Sequence, residues 1–288
     1  MACKQCLFLL FLLILTGRLA FGASEAQEKS LWALWNLQTN KPAQHKTIVA
    51  ACQQMQKTSP TNPLLPVFQG LAAWHNLRLG KTNEAFAIFS KMAAVAPAMA
   101  PATPTMTAGA KMGRRWLTRL DREKVRSALA VYYRNAIEYP INLHPLKKTM
   151  PGSADVSRRS GLAKGDAPLP LTDRWGTPWQ YQLAAFKIIK VAPGQRYRLQ
   201  SKTLLKTSDL AAALERPYAG RILLQPRSLV ISGSGAQNVV FQTPGDRPEK
   251  ILLSEGGQAT GVTLTYIGVH ILILCDGDHW RVVIKPTR

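Results

Sequence analysis

From Gly220 to the C-terminus the sequence keeps one rule: short β-branched and aromatic runs, each closed by Gly, Pro or Asp. The runs cover 222–224, 229–232, 239–242, 250–253, Val262–Ile267, 270–275 and Trp280–Ile284. Spacing this regular predicts antiparallel strands joined by tight turns, a small all-β sandwich or barrel over 220–288. Asp276-Gly277-Asp278 is a hairpin turn, because the turn needs a positive φ that glycine adopts without strain. Thr263 and Thr265 alternate with apolar residues, as in a half-buried strand.

The first third has a different period. Between 30 and 97 the apolar residues fall at helical spacing. In 62–97 Gly80 breaks the run in two, Ala85, Ile88, Phe89 and Met92 share one face, and Pro97 stops it. The order Ala73, Gly80, Ala85, Phe89, Pro97 resembles one tetratricopeptide repeat, and Ala43, Ile48, Cys52, Met55, Pro60 form a weaker copy before it. Asn76 stands where that repeat carries an aromatic. Residues 23–97 are read as tetratricopeptide-like helical hairpins, with a plain four-helix packing unit as the alternative.

Residues 98–113 are rich in Pro, Ala, Thr and Met without a periodic face, and predict a semi-extended linker. An amphipathic helix follows over 114–138. Leu117, Leu120, Val125, Ala128, Leu129, Tyr132 and Ala136 lie to one side, and Tyr139-Pro140 ends it. Residues 140–172 read as a loop, 179–183, 186–191 and 196–199 as short strands, and 208–215 as a short helix capped by Ser208 or Asp209, in a connector over 208–219.

The charge is lopsided: 37 Lys and Arg against 16 Asp and Glu, a formal +21. Such a chain attracts polyanions or acidic protein faces. Arg114, Arg115, Arg119, Arg122, Lys124 and Arg126 crowd one helix, so they are the candidate basic face. Lys147-Lys148 and Arg158-Arg159 add basic pairs in the loop, and Trp116 could stack a base. Asp121 and Glu123 interrupt that row, as on an ordinary solvated helix.

Residues 1–22 have the build of a cleavable export signal. Lys4 gives the positive start, an unbroken apolar run from Cys6 to Leu15 follows, and Ala20 and Gly22 are small residues before a cut. The run is short for a transmembrane span; an uncleaved anchor is the alternative. The expected location is therefore periplasmic or extracellular. Cys3 and Cys6 fall in the leader, which leaves Cys52 and Cys275. These sit in different expected domains, so two buried free thiols are favoured over a disulfide.

Three features stand out in 114–207. The first is the helix from Asp121 through Tyr133 into Glu138-Tyr139-Pro140. The second is the loop after it. The third is Asp173-Arg-Trp175-Gly176-Thr-Pro178-Trp179-Gln-Tyr181, where Gly176 and Pro178 force a bend and the aromatics fill the gap between helix and sheet. Together they resemble the globular part of type II secretion pseudopilins, and Arg196-Tyr197-Arg-Leu199 matches that family's later strand. The resemblance implies a pilin-like head of long helix and small antiparallel sheet. The family's apolar filament-forming helix has no counterpart before Arg114. Its calcium loop is replaced by Gln200-Ser-Lys-Thr203, without a carboxylate cluster, so no calcium is expected there. Glu255-Gly256, Gly261 to Leu264, Tyr266-Ile267, Leu272 to Leu274, Asp276-Gly277 and Trp280 are similar to small periplasmic β-domains of secretion and pilus assembly proteins.

Catalytic signals are sparse. His270 and His279 flank Cys275, Asp276 and Asp278, but a hairpin turn accounts for the acids without a metal. Ser232-Gly-Ser234-Gly235 lacks the order and following helix of a nucleophile elbow. No enzyme activity, metal or cofactor is expected. The reading is an α+β multidomain assembly or scaffold protein related to type II secretion or type IV pilus machinery, acting by protein docking. The alternative is an envelope polyanion binder, for DNA or an acidic glycan, using the basic helix.

Overall fold

Five helices come first in the computed structural model: α1 (Glu25–Leu37), α2 (His45–Thr58), α3 (Leu65–Arg78), α4 (Thr82–Ala94) and α5 (Pro104–Ala136). The structure describes residues 23–37, 44–94, 102–147, 168–184, 196–215, 218 and 222–286. The leader 1–22, Lys148, Arg158-Arg159 and the expected strand 186–191 lie outside the described residues. The chain is α+β.

Local chemistry sets the helix ends. Ser24 and Gln27 form a reciprocal capping box: Gln27 N–H donates to Ser24 Oγ at 3.3 Å, and Ser24 N–H to Gln27 Oε1 at 3.0 Å. Gly80 turns the chain from α3 to α4 at φ +74°, where only glycine is unstrained. Helix α3 is apolar nearly all round and buried from Val67 to Leu77 save Gln69, as a helix enclosed by neighbours must be. It packs against α2, α4 and α5 and touches strand β9 (Trp280–Ile284).

The linker expectation is overturned for residues 104–113, which form the start of the 33-residue α5; residues 98–101 lie outside the described residues. Thr103 caps it, accepting the Met106 N–H at 3.2 Å, and Pro104 fills the first position, where its missing N–H costs nothing. The small residues serve close packing. A Cβ on Gly113 would lie 2.7 Å from the Phe89 carbonyl oxygen and 2.9 Å from the Ala93 nitrogen. Gly113→Ala is therefore expected to destabilise the protein by about 1–3 kcal/mol in urea denaturation; an unchanged midpoint would refute so close an approach of α4 and α5. Helix α5 ends at Ala136, earlier than the expected stop at Tyr139-Pro140, because Ile137 adopts φ 63° and returns its N–H to Tyr133 O at 2.7 Å.

Strands β1 (Gln180–Leu183) and β2 (Tyr197–Gln200) pair antiparallel. A 3-10 turn over Leu205–Ser208 leads to the short α6 (Leu210–Glu215), which Asp209 caps by accepting the Ala212 N–H at 2.9 Å. Then β3 (Gln225–Ile231), β4 (Gln237–Gln242) and β5 (Lys250–Ser254) form one antiparallel sheet. Strands β6 (Gln258–Ala259), β7 (Val262–Ile267), β8 (Ile271–Cys275) and β9 form a second. The expected strand at 222–224 is absent: Ile222 and Leu224 are irregular and bury their side chains, and one bulged strand β3 covers 225–231. Among the described residues the two sheets stay separate in their hydrogen bonding, so no closed barrel forms.

The expected helical domain 23–97 and β-domain 220–288 meet in one hydrophobic core. Leu31, Ile48, Phe68, Leu71, Phe89 and Trp116 share one core with Phe241, Leu264, Ile273, Leu274 and Trp280. A Cβ on Gly70 of α3 would stand 2.5 Å from Trp280 Nε1, so helix and strand nearly touch. The cause lies in β8, buried at every position: a strand covered on both faces needs helices on one of them. A second, smaller core joins Val125, Ala128 and Leu129 of α5 to Leu143, Leu146, Trp179 and Leu199. Helix α5 runs through both.

Candidate functional site

The bend at 173–181 is built around the buried carboxylate of Asp173. Its Oδ1 accepts the Trp175 and Thr177 N–H groups, both at 3.0 Å. Its own N–H donates to Thr177 O at 2.8 Å, and Gly176 reaches φ +78° to close the turn with a 2.9 Å bond to Asp173 O. The other oxygen, Oδ2, accepts from Ser201 Oγ at 2.7 Å and Thr203 Oγ1 at 3.4 Å. Two hydroxyls therefore tie the segment after β2 back to the bend.

Trp179 fills the smaller core and donates its indole N–H to Pro170 O at 2.8 Å. Tyr181 donates to Pro140 O at 2.9 Å, and its ring meets Tyr197 at 5.9 Å, beside Tyr139. The bend thus lies against the C-terminal half of α5 with the β1–β2 sheet beside it. Trp175 departs from expectation: it is half-buried and outside that core, and Pro178 is exposed.

The basic row on α5 is not a free cationic face. Arg115 pairs with Asp278 through Nε at 2.6 Å, and Arg119 reaches the same carboxylate at 2.9 Å while only 1% exposed. Arg122 holds Asp209 at 2.9 Å and Glu123 at 3.1 Å, and its Nε–H donates to Leu199 O. Arg126 pairs with Glu123 at 3.0 Å. Lys124 lies 3.5 Å from Asp121 and 4.2 Å from the Phe86 ring centroid. Arg174, in the bend, takes the other oxygen of Asp121 at 2.5 Å. Arg114 has no ion pair among the described residues and is half-buried. Of the expected interaction face of Arg114, Arg115, Arg119, Arg122, Lys124 and Arg126, all but Arg114 have a carboxylate partner among the described residues. Arg115 and Arg119 thereby fix α5 to the β8–β9 turn and Arg122 to the start of α6, while Lys124 and Arg126 pair closest with carboxylates of α5 itself.

No protein-family model, curated protein or solved structure matches the chain.

The β8–β9 turn is the other end of this network. Trp116 donates its indole N–H to the Asp278 carbonyl at 2.8 Å. Asp276 Oδ1 accepts the Asp278 and His279 N–H groups at 2.8 and 2.7 Å, and Gly277 takes φ +88°. Burial pushes the Asp278 carboxyl up, but the Arg115 hydrogen bond and the charges of Arg119 and Arg115 outweigh it and hold it down at about 2. His270 and His279 face different partners: His270 Nε2 lies 3.0 Å from Glu25, and His279 stands edge-on to Trp116 and Tyr218. Cys52 and Cys275 are free and belong to the same core, and burial pushes both thiols up to about 12.

Proposed function

We propose that this chain is an exported, non-enzymatic assembly or scaffold protein of a type II secretion or type IV pilus machinery, working by protein docking. The observation that carries the reading is the Asp173-centred bend packed on α5 with a small antiparallel sheet beside it, the arrangement expected of a pseudopilin-like head. Where such a subunit would carry a free apolar stalk, the first half of α5 is enclosed: Met112, Trp116, Leu117 and Leu120 lie in the larger core. A head mounted this way docks as a fixed module and does not polymerise through its helix.

The ion pairs along α5 weigh against the polyanion alternative, because they occupy the cations it needs. In vivo crosslinking and affinity purification are expected to recover a secretion or pilus component. The complex should persist between 50 and 200 mM salt (about the range over which phosphate-bound complexes lose several orders of magnitude in affinity). Recovery of nucleic acid or acidic glycan with a steep salt dependence, and of no machinery component, would overturn the proposal.

A further inference from the structure

Ala23 is 8% exposed although it stands next to the expected cut. Its N–H donates to the Tyr266 hydroxyl at 3.2 Å, which donates in turn to Glu28 Oε1 at 2.9 Å. Glu28 is 0% exposed and also accepts the Val269 and His270 N–H groups, at 2.9 and 2.7 Å. A Cβ on Gly268 would collide with this carboxylate, so the β7–β8 turn is shaped around it. Glu28 has no ion pair among the described residues, and a carboxylate withdrawn from water without a cation is costly. Beside Ala23 lies a cleft of about 580 Å³ lined by Glu28, Glu255, Tyr266 and Lys285. It holds two carboxylates and one ammonium, and Lys285 already donates to Gly268 O and Gln237 Oε1.

We propose that this cleft is a socket for the chain's own processed N-terminus: the α-ammonium of Ala23, held by Tyr266 and neutralised by Glu28 and Glu255. The proposal rests on the reading of residues 1–22 as a cleaved leader. An envelope peptidase would supply the step. Water adds its hydroxyl to the Gly22 carbonyl carbon, the C–N bond breaks, Gly22 leaves as a carboxylate, and both water protons end on the Ala23 nitrogen. An amide has one donor, which Tyr266 uses; an ammonium has three and a full charge. A cation at the start of α1 opposes the helix dipole, and the acidic lining of the cleft offsets that. Leader removal thereby completes the contact between α1 and the β7–β8 turn.

The test compares residues 23–288 with a free Ala23 amine against the same chain acetylated at that nitrogen. The free amine is expected to lower the unfolding equilibrium constant in urea by about tenfold, the scale of one charge-assisted hydrogen bond. Tyr266→Phe removes only a hydroxyl and should shrink the difference, which guards against a Glu28→Gln chain that fails to fold. Equal stability of the two chains, or a difference unchanged by Tyr266→Phe, overturns the socket. Mass spectrometry of the exported protein reads the leader separately. A mass beginning at Ala23 supports the proposal, and any other N-terminus overturns the processing step whatever the stability data show.

Discussion

Asp278→Ala is expected to destabilise the protein by about 3–5 kcal/mol, the scale for removing one partner of a buried ion pair. Arg119 is almost wholly enclosed and would keep its charge with no carboxylate beside it; Arg115 would lose both of its bonds to the same group. Urea denaturation at neutral pH measures the loss. A change under about 1 kcal/mol would show that both arginines reach water, as exposed pairs do. The acid limb gives an independent readout. The folded-state carboxyl is held at about 2, below the ordinary value near 3.9. Its contribution is therefore complete above roughly pH 4 and is lost as pH falls towards 2. Asp278→Asn should flatten the melting temperature across that window.

Asp173→Ala is the second large effect, expected at about 2–4 kcal/mol, because it strands two amides and a buried hydroxyl at once. The loss should be local. Hydrogen exchange at the Trp175 and Thr177 amides is expected to accelerate, while amides of β8 in the larger core keep their protection. Asp173→Asn should cost less, since an amide oxygen can still serve the two N–H groups. It does not restore the wild-type value, because the Ser201 hydroxyl then faces a group that cannot accept. Unchanged exchange at Trp175 and Thr177 in the alanine variant would refute the role given to Asp173.

What could be read from the sequence was set by near neighbours. Gly80 between α3 and α4, Gly277 in the β8–β9 turn, and strands β7 and β9 were all legible, because turn chemistry and period-2 alternation act over a few residues. The joining of helices and sheets into one core was not. Its one local signal is Ile271-Leu-Ile-Leu-Cys275, unbroken where a half-exposed strand would alternate. The start of α5 is ambiguous in sequence, because Pro, Ala and Gly suit both a flexible segment and a helix with close neighbours; Phe89 and Ala93, which decide it, belong to another element. The arginine row conceals its partners for a similar reason. Its acceptors Asp209 and Asp278 lie far along the chain, and only the fold brings them to Arg115, Arg119 and Arg122.

Helix α5 has a mechanical consequence. At 1.5 Å per residue its 33 residues make a rod about 50 Å long. One end is clamped in the larger core, and the tyrosine-rich smaller core grips the other. A displacement of the smaller core is therefore carried along a stiff lever, so force and orientation pass together into the larger one.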